Sequence, residues 1–555
     1  MDEKDSGPGL SQDFPLQFRI LAFVRTPMLM FIVVPMSFAI SIYRIVREWF
    51  RGLFRSPTKA RLGHDQRCQR VVDQILYWNQ LGRPCKLRTA RPNWASMSTK
   101  LSSNKNECQL IDVSHLNHIL DIDVKAMTVT CEPNVTMGQL TQALLPMKLA
   151  LKCQVEMESL TIGGLSLGFG LETNSFTHGL FQETVREYKL VTSKGDIIKV
   201  SPESDPRLFY AIPWSHGSLG FLLSVKVDLI PVTPYVKITY VPTYSAKELV
   251  TKLQQYTLVD TKKDGTNGGS SNPIFVEATM YSKEKAVIQL GEFVNEPGPK
   301  FNRINSFWKP FYYKHVETFL QKGQDWEVVP IRDFYHRFTR SIFWELEDMI
   351  PFSNHPIYRI LWGWLGAPEV SLLKLFQGPV VRRASVYAHV VQESIMPLHR
   401  LDEGIQNFDQ WFGVYPLLVF PIRIFDRGDP QSGFLTPRLK EQNLQPGKDW
   451  GMWVDLGAYG VPRSVKQGKP WDPKIAVRQM EAWTRQVGGW QAPYTDLFCT
   501  RQEFRHMFNH TLYDEQRKKY QAEDAFPEVY DKIKPEAGIV DLTDIVAKEQ
   551  EQNAK

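Results

Sequence analysis

The sequence predicts an α+β protein whose soluble body follows a single N-terminal transmembrane helix. Three observations carry this expectation. Thr26 to Tyr43 holds no charged residue. Short β-type runs alternate with helical periods between residues 85 and 231. The many aromatics, 15 Trp, 20 Tyr and 32 Phe, concentrate after residue 300. A chain of 555 residues, at about 150 residues per domain, should hold three or four units. Hydrophobic residues at 43% and charged residues at 23% mark a globular rather than a disordered chain. The net charge of +6 is small for this length and gives no reason to expect a nucleic-acid partner.

The uncharged segment, TPMLMFIVVPMSFAISIY, would reach about 27 Å as a helix, close to the bilayer core. It runs directly into Arg44, Arg47, Arg51, Arg55, Lys59 and Arg61, a stop-transfer flank rather than the small-residue cleavage site of a signal peptide. Arg19 and Arg25 precede it, but so do Asp2, Glu3 and Asp5. Counting positive charges therefore puts the large C-terminal part in the cytoplasm. A flank at 1–25 and one uncleaved anchor at 26–43, set in membrane lipid, are expected; a buried core helix is the alternative, given Pro27 and Pro35. Six cysteines without a CxxC pair argue against a zinc site or a disulfide framework and suit reduced thiols facing the cytosol.

Residues 62–80 space their apolar positions at helical intervals. After Gly82 come β-type runs at CKLRT, CQLIDV and MTVTCEP, then a helix in VTMGQLTQALLPM with Asn134 or Thr136 as N-cap. YKLVTS and DIIKVS read as strands joined at Lys194-Gly195, followed by FLLSVKVDLIPV. Pro231 and Pro234 close this first unit, 58–234. A second unit, 235–535, contains a Gly/Ser/Lys surface loop near 260–273, a mostly helical aromatic stretch at 301–400, and strands at VYPLLVF and MWVDLGAY. A polar tail, 536–555, ends the chain.

The most informative segment is TIGGLSLGFGLET: Thr161, Ile162, Gly163, Gly164, Leu165, Ser166, Leu167, Gly168, Phe169, Gly170, Leu171, Glu172 and Thr173. Closely spaced glycines let a backbone approach a ligand and turn N–H groups toward an anion. The pattern G-G-x-x-x-G-x-G is not the GxGxxG of a dinucleotide βαβ unit, and no GxxxxGK[ST] phosphate loop occurs. A flexible structural loop is the bland alternative. Downstream stand His178-Gly179-Leu180, two strands, and the run DPRLFYAIPWSHGSLGF from Asp205 to Phe221.

That order resembles the FAD-binding domain of the vanillyl-alcohol-oxidase, or PCMH, type. The resemblance implies two small α+β subdomains around an extended FAD, followed here by an aromatic-rich α+β substrate domain. It places Thr161–Thr173 on the main FAD loop, and Gly217, Ser218 and Gly220 on a later loop closing over the cofactor. Arg91 falls in the first phosphate-contacting turn, where it would suit a pyrophosphate. Many relatives attach flavin through a histidine in that turn. Residues 82–100 hold no His, so non-covalent FAD is expected; His178 and His216 are the nearest alternatives.

Beyond the FAD segment, the strings KPFYYKHVE, IRDFYHRFTRSIFWELEDMIPFSNHPIYRILWGW, DLGAYGVPR and DAFPEVYDKI resemble the Δ24-sterol reductases. This likeness implies a sterol substrate, NADPH as electron donor, and the endoplasmic reticulum membrane, with the Golgi membrane as alternative. A fused-ring substrate with few polar groups needs a large apolar pocket, and HPIYRILWGWLG could line one, lie at a membrane interface or pack a core. An unpolarised alkene also needs a proton donor within about 3 Å. Candidates are Glu345, Tyr459 and Tyr335, with Glu347, Asp348 and His336 beside them. Arg332, Arg337 and Arg340 could meet an NADPH phosphate or form a solvated face. Rival readings are an oxidase of the aldonolactone type, a plant-type isomerase-reductase acting on a 24-alkylated sterol, and a non-catalytic membrane scaffold keeping the fold.

Overall fold

In the computed structural model, which describes residues 24–53, 57–96, 103–258, 273–376 and 388–533, Pro57 opens the long helix Pro57–Gln80, where its missing N–H costs no intrahelical bond. The helix buries Cys68, Val71, Val72, Ile75 and Trp78, positions three and four apart that share one face. Beside it run the parallel pair β1 (Leu87–Thr89) and β2 (Gln109–Ile111). Next come β3 (Ile119–Asp123), β4 (Thr128–Cys131), β5 (Leu149–Leu151), β6 (Val185–Val191), β7 (Ile197–Val200) and β8 (Phe221–Pro231). They form a sheet of order β3-β4-β8-β6-β7, with β5 pairing β8. The short strand β3, ILDID, has no clear alternation and escaped the sequence pattern.

Thr136, not Asn134, caps the helix Met137–Leu144, in a capping box with Gln139. The Asn134 amide instead donates to the Val113 carbonyl at 2.7 Å. The β6–β7 turn is at Lys194-Gly195, where Gly195 takes φ 92°.

The second half is built on eight antiparallel strands. The new ones are β9 (Tyr235–Thr243), β10 (Phe275–Met280), β11 (Ala286–Val294), β12 (Asp325–Pro330), β13 (Val390–Pro397), β14 (Leu417–Phe425), β15 (Trp450–Gly460) and β16 (Trp490–Gln491), in the order β12-β9-β11-β10-β14-β15-β13-β16. One face is covered by the helices Ala246–Thr257, Leu401–Trp411 and Pro473–Gln486. The other face turns toward the first half and carries Glu393, Leu418, Phe420, Asp455 and Tyr459. The described residues of 301–400 are not mostly helical as expected: they give short turns of helix and β12 and β13. Pro310, Pro330, Pro356 and Pro368 stand just before or at the start of a helical turn and Pro351 just after one, where a proline and the residue before it resist extending the helix through them. The last helices cross the expected division at 235. Ala522, Ala525 and Phe526 pack with the helix Pro57–Gln80, and Arg517 donates to the Ser218 carbonyl at 2.6 Å.

The helix Val24–Arg47 is long and apolar enough to cross a membrane, by length and composition. It starts α-helical at residues 24–28, passes through a π-helical stretch, Leu29–Val33, and continues as Val34–Leu53. Its first half is not detached. Leu29, Met30, Val33, Val34 and Ser37 are buried; Phe31 meets Trp362 edge-on at 5.9 Å and Phe38 meets Trp364 at 5.4 Å. Ser37 Oγ accepts from the Glu369 N–H at 2.9 Å. Ile32, Ile42, Tyr43 and Ile45 stay exposed, as do Ile357, Ile360, Leu361 and Trp364, so HPIYRILWGWLG supplies a partly exposed apolar surface as well as packing. The expected acidic N-terminal flank, Arg55, most of the 260–273 loop and the 536–555 tail lie outside the described residues.

Candidate active site

A cavity of about 790 Å³ opens between the two halves. Its first wall is the glycine segment, which is not an open loop but a helical turn, Ile162–Leu167. The Ile162 and Gly163 N–H groups donate to the carbonyls of Val135 and Pro133, each at 2.9 Å, and Gly168 N–H donates to Gly164. Those three amides are therefore spent within the protein. The glycines also serve close packing. A Cβ on Gly163 would lie 2.5 Å from Pro133 Cβ, and one on Gly168 would lie 2.6 Å from the Gly164 carbonyl oxygen.

Positive charge gathers at this end. Arg88, Arg91, Lys105 and Lys532 all line the cavity. Three of them donate to neutral groups: Arg91 to Thr161 Oγ1 at 3.1 Å, Lys105 to the Arg91 carbonyl, and Lys532 to the His216 carbonyl at 2.5 Å. Burial, then the facing Arg88 and Arg91, bring the Lys105 ammonium down to about 8. Burial, then Arg88, Lys105 and Arg517, lower Lys532 as well. Like charges held this way call for an anion between them, and the pyrophosphate of FAD fits that demand.

The sheet face supplies the middle of the cavity. Tyr459 donates its hydroxyl to Glu393 Oε1, and Tyr494 is bonded to the same carboxyl. Tyr494 in turn lies against Phe169 of the glycine segment, rings 5.9 Å apart. Burial raises Glu393 to about 7 against the pull of both tyrosines. Asp455, on the neighbouring strand, is also raised, by burial and then by Glu393 and Glu156.

The far end is apolar. Phe343, Met349, Leu373 and Phe376 line it together with Met28 and Leu29 of the N-terminal helix. Ile342 and Phe343 sit at φ 48° and 58°, a left-handed conformation costing about 1–3 kcal/mol per residue. It turns Phe343 onto Tyr459, 5.3 Å between rings. The polar groups here are Glu345, paired with His389 at 2.8 Å, and Arg25 and Asp348 beside it.

Of Thr161–Thr173, all line the cavity except Ile162, Ser166, Glu172 and Thr173; Arg91, Gly217 and Gly220 line it, and Ser218 does not. Ser218 instead bonds Tyr513 at 2.6 Å. Glu345 and Tyr459 are on the wall, whereas Tyr335 is buried beside Phe275 and is not a lining residue. His216 lines the cavity and His178 does not.

The expected arginine cluster is dispersed. Arg337 is fully buried against Glu277 and Glu172, Arg332 pairs with Glu158 at 2.9 Å, and Arg340 donates to the Lys309 carbonyl at 2.6 Å. Arg337 thus neither faces solvent nor lines the cavity. Glu393, Asp455, Lys105 and Lys532 were not singled out from sequence. Asp455 had a signal, as a carboxylate inside an otherwise apolar strand; Glu393, between Gln392 and Ser394, and the two lysines had none.

Comparison with known proteins places this geometry. The family described as FAD binding domain matches residues 70–201. The Delta(24)-sterol reductase of Homo sapiens is 37% identical over 503 residues, 90% of this chain and 92% of the relative. The Delta(24)-sterol reductase homolog of Caenorhabditis elegans is 35% identical over 96% of this chain and 98% of its own. The Delta(24)-sterol reductase of Pisum sativum is 34% identical over 92% and 91%. With an α+β fold, an FAD-binding domain and relatives matched along nearly their whole length, this chain is an FAD-dependent oxidoreductase and belongs to the Delta(24)-sterol reductase family.

Proposed function

We propose that this protein reduces the side-chain Δ24 double bond of a sterol, with NADPH as electron donor and FAD held without a covalent bond. The observation that carries this reading is the continuity of one cavity, from a cationic end beside the glycine segment, past a buried carboxyl–tyrosine group, to an aromatic chamber. A sterol has the matching character: a rigid apolar ring system and an alkene at the end of its side chain. Bound FAD would supply the hydride. The chain's own residues do the rest: Arg91, Lys105 and Lys532 balance the pyrophosphate charge, and Phe343, Met349 and Leu373 keep water from the alkene. The proton comes from the buried acids on the sheet face beside Tyr459, Glu393 and Asp455. Glu345 is tied to His389, and Tyr335 is outside the cavity, so both are weaker candidates.

The site of action is the endoplasmic reticulum membrane, with the Golgi membrane as alternative, and the body faces the cytoplasm. Met28 and Leu29 on the cavity wall support this reading, because they bring the apolar helix beside the chamber where a membrane-dissolved sterol would lie.

The test supplies microsomes containing the protein with desmosterol and NADPH. Cholesterol should form while the flavin cycles between oxidised and reduced forms. In fast single turnovers, label from deuterated NADPH should reach one side-chain carbon and solvent deuterium the other. If flavin is reduced and no 24-unsaturated sterol is consumed, the substrate is wrong.

A further inference from the structure

We propose that Asp455 is the general acid that protonates the side-chain alkene, and that Glu393 refills it; this rests on the functional reading above. Asp455 lies in the middle of β15, paired across the sheet with Ile395 and Phe420. It is fully buried, it lines the cavity, and neither carboxyl oxygen has a hydrogen-bond partner. A carboxylate without donors or a counter-ion is not sustained in such a place, so the group keeps its proton.

The neighbouring groups separate Asp455 from its rivals. Arg337 neutralises Glu277 and Glu172 and also acts favourably on Glu156. The charges bearing on Asp455 are those of Glu393 and Glu156, both acidic, and both favour its protonated form. Tyr459 has its hydroxyl committed to Glu393 and is a poorer acid still, raised by burial. Glu345 faces His389. Asp455 is thus the buried acid whose O–H has only the cavity to point into.

The step balances as follows. The alkene π pair takes the Asp455 proton, forming one C–H bond as the O–H bond breaks. The adjacent carbon takes a hydride from reduced flavin, forming the second C–H bond, and the flavin is oxidised by two electrons. The Asp455 carboxylate then regains a proton from Glu393. That group, poised at about 7 and bonded to Tyr459 and Tyr494, exchanges with solvent between turnovers.

The experiment compares full-length flavin-loaded wild type, Asp455→Asn and Glu393→Gln in detergent. In Asp455→Asn, NADPH should bleach the flavin at the wild-type rate and desmosterol should still bind. Reoxidation of the reduced flavin by desmosterol should fall by about 10²–10⁴-fold, the usual loss on removing a general acid. Glu393→Gln should keep the first turnover and slow later ones. Independently of activity, infrared spectra at neutral pH should show a protonated-carboxyl band that shifts in heavy water. The band should vanish in Asp455→Asn and persist in the surface variant Asp402→Asn. Wild-type reoxidation rates in Asp455→Asn, or loss of no carboxyl band, would overturn the assignment. If wild type itself reduces no Δ24 sterol, the functional reading falls, and the infrared arm still decides whether Asp455 holds a proton.

Discussion

Arg337 holds Glu277 through two parallel hydrogen bonds, Nε to Oε1 and Nη2 to Oε2, each 2.9 Å, with neither side chain in contact with solvent. Its Nη2 also donates to Glu172 Oε1 at 3.2 Å, so one guanidinium ties β10 to the end of the glycine segment. Removing one partner of such a pair strands a buried charge and costs about 3–5 kcal/mol. Arg337→Met should lower the melting temperature sharply and release FAD, because two carboxylates lose their counter-ion together. Arg337→Lys should recover only part of the loss, since a point charge cannot form the double bond. Thermal melts followed by both circular dichroism and flavin fluorescence check this.

The glycine segment gives a graded series. Gly168→Val would drive a side chain into the Gly164 carbonyl beside His216, whereas a methyl on Gly164 meets only Thr161 Oγ1, at 3.3 Å. Gly168→Val should purify colourless, and Gly164→Ala should stay yellow with a modest loss of FAD affinity. A yellow, fully loaded Gly168→Val would show that FAD does not pass this turn.

FAD affinity should depend on pH through Lys105. Without the anion, burial, Arg88 and Arg91 hold this lysine at about 8; a pyrophosphate alongside favours its charged form and raises that value. Binding therefore takes up a proton above pH 8 and none well below it. Affinity should be flat between pH 6 and 7 and fall above 8, by up to about tenfold per pH unit. Lys105→Met should bind more weakly and lose the part of this dependence that Lys105 carries. Equilibrium titration of the FAD-free protein at a series of pH values measures it.

Membrane orientation can be read at Asn509. Two glycosylation sequons occur, at Asn134 and Asn509. Asn134 lines the cavity and donates to Val113, so a bare Asn134 tells nothing. Asn509 is exposed, with its amide bonded to Thr436 at 3.1 Å. With the body in the cytoplasm it should carry no glycan, shown by no mobility change on endoglycosidase treatment of membranes. A glycan there would reverse the orientation.

The sequence by itself determined the elements whose causes are local. The apolar helix, the cap at Thr136 or its neighbour, the turn at Gly195, the strands β8, β14 and β15 and the glycine segment all follow from periodicity, capping chemistry or backbone freedom within a few residues. Motif order and long aromatic strings indicated the family. The tertiary structure alone decided what depends on residues far apart in the chain. Lys532 reaches His216 from more than three hundred positions away, and no local pattern marks it. The 301–400 stretch misled because aromatics at helical spacing look alike whether they cover one long helix or several short turns set apart by prolines. Glu345 and Asp455 are both carboxylates beside apolar residues; only folding gave one a histidine and left the other without a partner. Burial and neighbouring charge set the proton on an acid, and both are properties of the assembled core.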